Sequence, residues 1–162
     1  SCLSACCGNT DCMSYVIRKM TLADLEQVIA IDQVSFSLPW PARSFQFELT
    51  DNPASRCWVA DLDGRIVGMV VAWLIVDEIH IATFATHPDF RKQGIGKDLL
   101  LHTLRSAKAD GALTSFLEVR VGNMIAQEMY RKFGFVESGR REGYYKDNDE
   151  TAILMSLGSL NV

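Results

Sequence analysis

The residues best suited to chemistry crowd into Thr83-Phe84-Ala85-Thr86-His87-Pro88-Asp89-Phe90-Arg91-Lys92-Gln93-Gly94-Ile95-Gly96-Lys97. An apolar, β-branched run ends at a His-Pro-Asp turn, and two glycines then open a helical pattern. The first turn of a helix has unpaired N–H groups and a positive dipole end, and glycine lets an anion approach the backbone closely. Arg91 and Lys92 add mobile positive charge beside it. A Gly-x-Gly before a helix also serves as a plain tight turn, so this segment alone leaves phosphate binding and simple turn geometry both open. A second group sits in Phe116-Leu117-Glu118-Val119-Arg120-Val121. In a strand, Leu117, Val119 and Val121 share one face while Phe116, Glu118 and Arg120 share the other. A carboxylate and a guanidinium on one face of an interior strand need a cleft, or each other.

The elements that must hold these groups follow from periodicity and punctuation. Tyr15 to Arg18 forms a first strand, and Thr21 caps a helix on which Leu25, Val28 and Ile29 face inward, with Met20 packing on Leu25. Pro39 and Pro41 break that helix, and a second, carrying Phe45 and Leu49, runs from Pro41 or Ala42 to Asp51-Asn52-Pro53. Strands Trp58–Leu62 and Arg65–Val71 flank Asp63-Gly64, a two-residue hairpin pair. Trp73 to Val76 is expected as a further antiparallel strand, and Ile79 to Thr86 returns into the glycine segment. Ile95, Leu99, Leu100, Leu104 and Ala107 mark the buried face of the helix that opens near Gly94 and ends near Asp110-Gly111. The strand Phe116–Val121 then follows by a parallel right-handed crossover. Ile125, Ala126, Met129, Tyr130 and Phe133 form the face of another helix, stopped by Gly134. Phe135–Ser138 and Glu150–Leu157 are the last two strands, joined by a polar loop from Gly139 to Asp149. The expected fold class is α/β.

The order Arg91-x-x-Gly94-x-Gly96 resembles the acetyl-CoA loop of the GCN5-related N-acetyltransferases (GNAT). Three blocks follow in that family's order: Leu117-Glu118-Val119-Arg120, then Asn123-x-x-Ala126-x-x-x-Tyr130-x-x-x-Gly134-Phe135, then Arg141-x-x-Tyr144-Tyr145. The set is similar to the branch that acetylates ribosomal-protein alanines (RimI) and to related N-terminal protein acetyltransferases, over Tyr15 to Leu157. The resemblance implies a mixed central sheet of about seven strands flanked by about four helices. It implies acetyl-CoA as co-substrate, with the pantetheine arm along Phe84, Ala85 and Thr86 like an added strand. The pyrophosphate would lie on the backbone of Lys92, Gln93, Gly94, Ile95, Gly96 and Lys97, with Arg91 beside it. Asn123 would touch the cofactor, although its chemistry alone makes it a helix cap. Where the family has Ser-Asn this chain has Gly122-Asn123, and Thr86-His87 replaces the commoner Val-Asp. His87 is expected to be only a turn residue.

Acetyl transfer to an amine requires loss of the ammonium proton, a polarised thioester carbonyl and a proton for the thiolate. By resemblance Glu118 is the base, with a pKa raised by partial desolvation, and Tyr130 is the acid. The alternatives are a structural Glu118–Arg120 contact and a core tyrosine. Trp40, Tyr144 and Tyr145 would line a peptide groove; they could equally be packing. Asp77, Glu78, Asp147, Asp149 and Glu150 would give that groove an acidic mouth suited to a basic peptide.

At 162 residues the chain makes one domain, expected over residues 13–162. The 48% hydrophobic and 22% charged residues suit a globular protein, and the net charge of -4 argues against sequence-independent binding of nucleic acid. No apolar run reaches membrane-span length. Four of the five cysteines fall in residues 1–12; their spacing matches no zinc site, so no metal is expected and these residues are taken as a leader ahead of Met13. Scarce body cysteine fits a reducing cytoplasm. The expected activity is acetylation of a protein or peptide N-terminus, alanine first, such as a ribosomal protein, by a monomer or weak dimer. Acetylation of a lysine or small amine, and a catalytically idle acetyl-CoA-binding module, are the other readings.

Overall fold

Asp63 and Gly64 both take positive φ (50° and 92°), the backbone that a two-residue hairpin with the right twist requires. They join β2 (Ser55–Leu62) to β3 (Arg65–Ile75) in the computed structural model, which describes residues 14–162. The expected leader over residues 1–12 lies outside the described residues. With β1 (Val16–Lys19), β4 (Glu78–Thr86), β5 (Thr114–Arg120), β6 (Val136–Tyr145) and β7 (Glu150–Leu157), these strands make one sheet in the order β1-β2-β3-β4-β5-β7-β6. Only β4 and β5 are parallel, and the connection between them is α3 (Ile95–Ala109).

The helices cover both faces. On one, α1 (Leu25–Ser35) and α2 (Ala42–Thr50) bury Val28, Ile31 and Phe45 against Val59, Met69 and Val71. On the other, α3 and α4 (Met124–Lys132) pack over Leu117, Val119, Ile153 and Met155. The stripe expected on α3 is the buried one: Ile95, Leu99, Leu100, Leu104 and Ala107 are at most 1% exposed. Ahead of α1, Asp24 accepts from the Thr21 N–H at 2.8 Å and the Arg18 guanidinium at 2.7 Å, fixing the helix start to β1.

Three expectations are corrected. Trp73 to Ile75 is not a separate strand; β3 runs unbroken to Ile75, and the turn falls at Val76-Asp77, with Val76 at φ 57°. No turn-forming residue stands between Val71 and Trp73 to interrupt pairing. Gly139 to Tyr145 is strand rather than loop, because β6 pairs through Arg140 and Arg141 with β7 as a charged edge, where polar side chains meet water. Ile125 is 80% exposed, and Gln127 takes the inward position on α4. Its amide donates to the Arg120 and Val121 carbonyls at 3.0 and 2.8 Å, closing off the end of β5.

Candidate active site

The parallel pair β4–β5 is the seam of the sheet, and it is only partly closed. Pairing runs from Glu78↔Thr114 to Ile81↔Leu117 and stops. On the other side of β4, Ala72 faces Ile81 while Val71 faces Thr83, so Ala82 is an extra residue, a bulge. A bulge bends its strand, and here it sits where the two strands part. Beyond it, the β5-facing backbone of Phe84, Ala85 and Thr86 has no strand partner.

The gap leads to the N-terminus of α3. Gly94 caps that helix at φ 84°, and a Cβ there would touch nothing within 4 Å, so the left-handed backbone is what calls for glycine. Lys92 takes a left-handed φ of 64° as well. Gly96 rests against the Phe84 ring and the Thr86 hydroxyl, where a Cβ would stand 3.4 Å from each and narrow the approach. Lys92, Gln93 and Lys97 are exposed, while the Ile95 side chain is buried and offers only backbone. Arg91 is already engaged: Nε donates to the Thr86 carbonyl at 3.2 Å and Nη2 to Ser35 at 3.4 Å. An exposed helix start beside an unpaired strand edge fits a ligand with a phosphate at one end and an amide-bearing arm. His87 is a turn residue, its Nδ1 accepting from the Asp89 N–H at 3.1 Å.

Glu118 lies on the α1/α2 face of β5, opposite to Leu117 and Val119. The Arg141 guanidinium is 3.6 Å from its carboxylate. The Tyr144 hydroxyl bonds toward it, which raises the Tyr144 pKa above the ordinary phenol value. Tyr145 stands edge-on to Tyr144 at 5.1 Å, and burial, then the Glu118 charge, push its pKa up to about 12. Glu118 is exposed rather than desolvated. The alternative reading, a structural Glu118–Arg120 contact, does not hold: no ion pair or hydrogen bond joins the two among the described residues. Arg120 turns instead to Asp147 at 3.1 Å and Glu150 at 3.2 Å, with its guanidinium over the Tyr145 ring at 3.9 Å. Its other amino group donates to Ser37 at 3.3 Å, and Ser37 also bonds Asp147. The α1–α2 and β6–β7 loops are thereby joined across the end of β5. Two of the acids expected at the groove mouth are consumed in doing so.

Tyr130 approaches from the other face. It is 7% exposed in the α3/α4 core, 5.8 Å from the Phe135 ring, and burial raises its pKa well above the ordinary value. Tyr145 is close enough to add to that rise, so Glu118, Tyr145 and Tyr130 span the end of the sheet from face to face. Asn123 caps α4, its side-chain oxygen accepting from the Ala126 N–H at 3.2 Å, which leaves the amide nitrogen free. Gly122 has a reason of its own. Its N–H donates to Glu150 at 2.7 Å, and a Cβ would collide with that same oxygen at 2.7 Å.

Trp40 does not join the tyrosines. Its ring packs on Phe45 at 5.2 Å and Trp73 at 6.3 Å, over α2. Asp32 holds its backbone, accepting the Trp40 N–H at 2.7 Å from a position 1% exposed, with Oδ1 unpartnered; burial raises the Asp32 pKa. Asp32, Glu48 and Gln127 were not anticipated as site-building residues. Asp32 and Glu48 occupy apolar-stripe positions of their helices, four after Val28 and three after Phe45, and that placement is the signal. Cys57 is buried with its thiol pushed up to about 12 by burial and then by the Glu48 charge, so it is no nucleophile. Among the described residues no cluster of three or more His, Cys, Asp or Glu could hold a metal.

A family model for the acetyltransferase (GNAT) family matches residues 25–135. The chain belongs to that family. As a GNAT enzyme, it is an acetyl-CoA-dependent N-acetyltransferase with the mixed seven-stranded sheet of its relatives. It is 37% identical over 139 residues to a candidate ribosomal-protein-bS18-alanine N-acetyltransferase of Bacillus subtilis (strain 168), covering 86% of this chain and 92% of that one. It is 30% identical over 152 residues to the ribosomal-protein-bS18-alanine N-acetyltransferase of Escherichia coli (strain K12), covering 87% and 95%. The crystal structure of the Escherichia coli enzyme superposes with a TM-score of 0.82 at 28% identity, over 88% of this GNAT chain and 92% of that one.

Proposed function

We propose that this acetyltransferase modifies the α-amino group at the N-terminus of a protein, with alanine first and a ribosomal protein as the natural substrate, met in the cytoplasm. The observation that carries this is the placement of Glu118 and Tyr130 on opposite faces of β5 beside one gap. A ligand threaded through that gap meets a carboxylate on one side and a phenol on the other. Acetyl-CoA fits the gap with its pyrophosphate on the backbone from Lys92 to Lys97, its arm along Phe84, Ala85 and Thr86, and the Asn123 amide within reach. When bound it supplies a thioester carbonyl, which an amine attacks directly.

Glu118 accepts the ammonium proton, directly or through a water, from an amine presented on the α1/α2 face. Arg141 and Tyr144 hold its carboxylate in place. Tyr130 keeps its proton throughout the neutral range, because burial raises its pKa, and so has one to give to the departing sulfur. Tyr144 and Tyr145, in edge-on contact beside Glu118, would form a wall against which the end of a chain is presented. The similarity to the bS18-alanine N-acetyltransferase of Escherichia coli, and to the candidate one of Bacillus subtilis, supports the same substrate class.

The test uses an alanine-first peptide that also carries an internal lysine, incubated with acetyl-CoA and sequenced by fragmentation mass spectrometry. Acetyl on the α-amine is expected. Label only on the lysine side chain would make this a lysine acetyltransferase and overturn the reading.

A further inference from the structure

Trp40, Pro41, Ser44, Phe47, Glu48 and Trp73 line a cleft of about 240 Å³ on the α1/α2 face. Its walls are aromatic, with the Trp40 and Trp73 ring planes within 19° of parallel and Phe47 half exposed at the rim. Its base is a carboxylate: Glu48 is 7% exposed. Three donors reach that carboxylate, all neutral and all on Oε2: Asn52 Nδ2 at 2.9 Å, Trp73 Nε1 at 2.9 Å and the Ser55 hydroxyl. Among the described residues no donor reaches the other oxygen, and Glu48 is one of the residues lining the cleft. Arg56, on the adjacent strand, pairs with Asp110 instead. A buried carboxylate is costly unless a cation or several donors compensate it, and aromatic faces attract cations.

We infer that this cleft binds the cationic side chain of a lysine or arginine within the substrate peptide, a few residues after the acetylated end. This rests on the N-terminal acetylation reading above. The sheet register sets the spacing. Trp73 stands beside His80, and His80 beside Phe116, on three neighbouring strands, and Glu118 is two residues along β5. With strands about 4.8 Å apart and a rise of about 3.3 Å per residue, the cleft lies about 12 Å from the base. An extended peptide advances about 3.4 Å per residue. An amine at Glu118 therefore brings roughly the third to fifth residue to the cleft. The floor between is the His80–Phe116 stack, rings 5.3 Å apart. The cleft thus supplies the charge recognition that Asp147 and Glu150, tied to Arg120, cannot.

The experiment walks one arginine through positions 2 to 6 of an otherwise neutral alanine-first peptide, with citrulline at each position as the uncharged control. For the intact enzyme, KM is expected to be about tenfold lower with arginine than with citrulline at a position between 3 and 5, with kcat unchanged. Glu48→Gln should erase that difference while the citrulline peptides keep their KM. Trp40→Leu, which retains the backbone N–H to Asp32, should shrink it and serves if Glu48→Gln does not fold. A KM indifferent to arginine at every position, or a preference that survives in both folded variants, overturns the cleft assignment. If none of these peptides is acetylated on its α-amine, the N-terminal reading itself has failed, and the cleft assignment with it.

Discussion

At the scale of single residues, the catalytic assignments separate by pH. Glu118→Gln keeps the shape but cannot accept a proton, so kcat should fall on the order of 100-fold at neutral pH. The deficit should shrink as pH rises and more amine arrives deprotonated. A pH–rate profile on an alanine-first peptide checks this, and an equal fractional loss at every pH would remove the base role. Tyr130→Phe deletes only the hydroxyl. Because the Tyr130 pKa lies above the ordinary phenol value, its loss should be flat across pH 6 to 9, with acetyl-CoA affinity unchanged. Near-normal turnover would return Tyr130 to the hydrophobic core. Residue type alone singled out only the first candidate, since a carboxylate on an interior strand needs a cleft or a partner. A tyrosine on an apolar helix face is ordinarily a core residue, and the family resemblance is what marked Tyr130. The partners of Arg120 were not legible. Asp147 and Glu150 are distant in sequence, and only strand pairing brings them to the end of β5.

At the scale of elements, the glycine segment was the most readable part, because a left-handed cap and a buried helical stripe are local properties. Gly94→Glu places a Cβ at φ 84° and a negative charge at the helix N-terminus. Acetyl-CoA should then fail to raise the melting temperature in a thermal-shift titration, whereas the parent protein responds; a full response by the variant would reject the loop as the phosphate cradle. The β3–β4 turn was misread for the opposite reason. Val76 is 92% exposed and β-branched at φ 57°, a conformation that its side chain disfavours and that no pattern rule would assign to it. Val76→Gly should therefore stabilise the protein by about 1 kcal/mol in urea titrations. A destabilised variant would mean that the turn is not strained. The length of β6 was hidden as well, since its charged, glycine-containing sequence looks like a loop until β7 offers it a partner.

For the molecule as a whole, the acid limit of stability should trace to the junction of β1 and α1. Asp24 is 5% exposed, and the Arg18 guanidinium hydrogen-bonded to it holds its carboxyl below the usual carboxylate value. A group with a folded pKa below its unfolded one stabilises the fold above the unfolded pKa of about 3.9, and that contribution disappears as pH falls through the folded value. Asp24→Asn should cost about 2 kcal/mol at pH 7, discounted because Arg18 is one-third exposed. Its melting temperature should then drop less than the parent's between pH 5 and pH 3. Parallel melting curves that keep a constant offset would locate the acid sensitivity elsewhere. The class of fold was legible at this scale because apolar runs alternate cleanly between strand and helix periods. Which strands neighbour one another was legible only at the short hairpin and at the helical crossover from β4 to β5; the insertion of β7 between β5 and β6 was not.

The parted seam gives the molecule a mechanical character. Four rungs at one end of β4 and β5 stitch a leaf of β1 to β4 to a leaf of β5, β7 and β6, and from Ala82 onward the binding is open. A co-substrate whose arm lies along that opening adds the missing stitches and ties both covers of the book together. Its occupancy is then felt well beyond the atoms it touches. The β5-facing backbone amides of β4 past the bulge should exchange with solvent quickly in the empty enzyme and slowly in the loaded one, while those still paired to β3, and those of Glu78 to Ile81, hardly change. Each catalytic cycle would loosen and refasten the spine of the sheet.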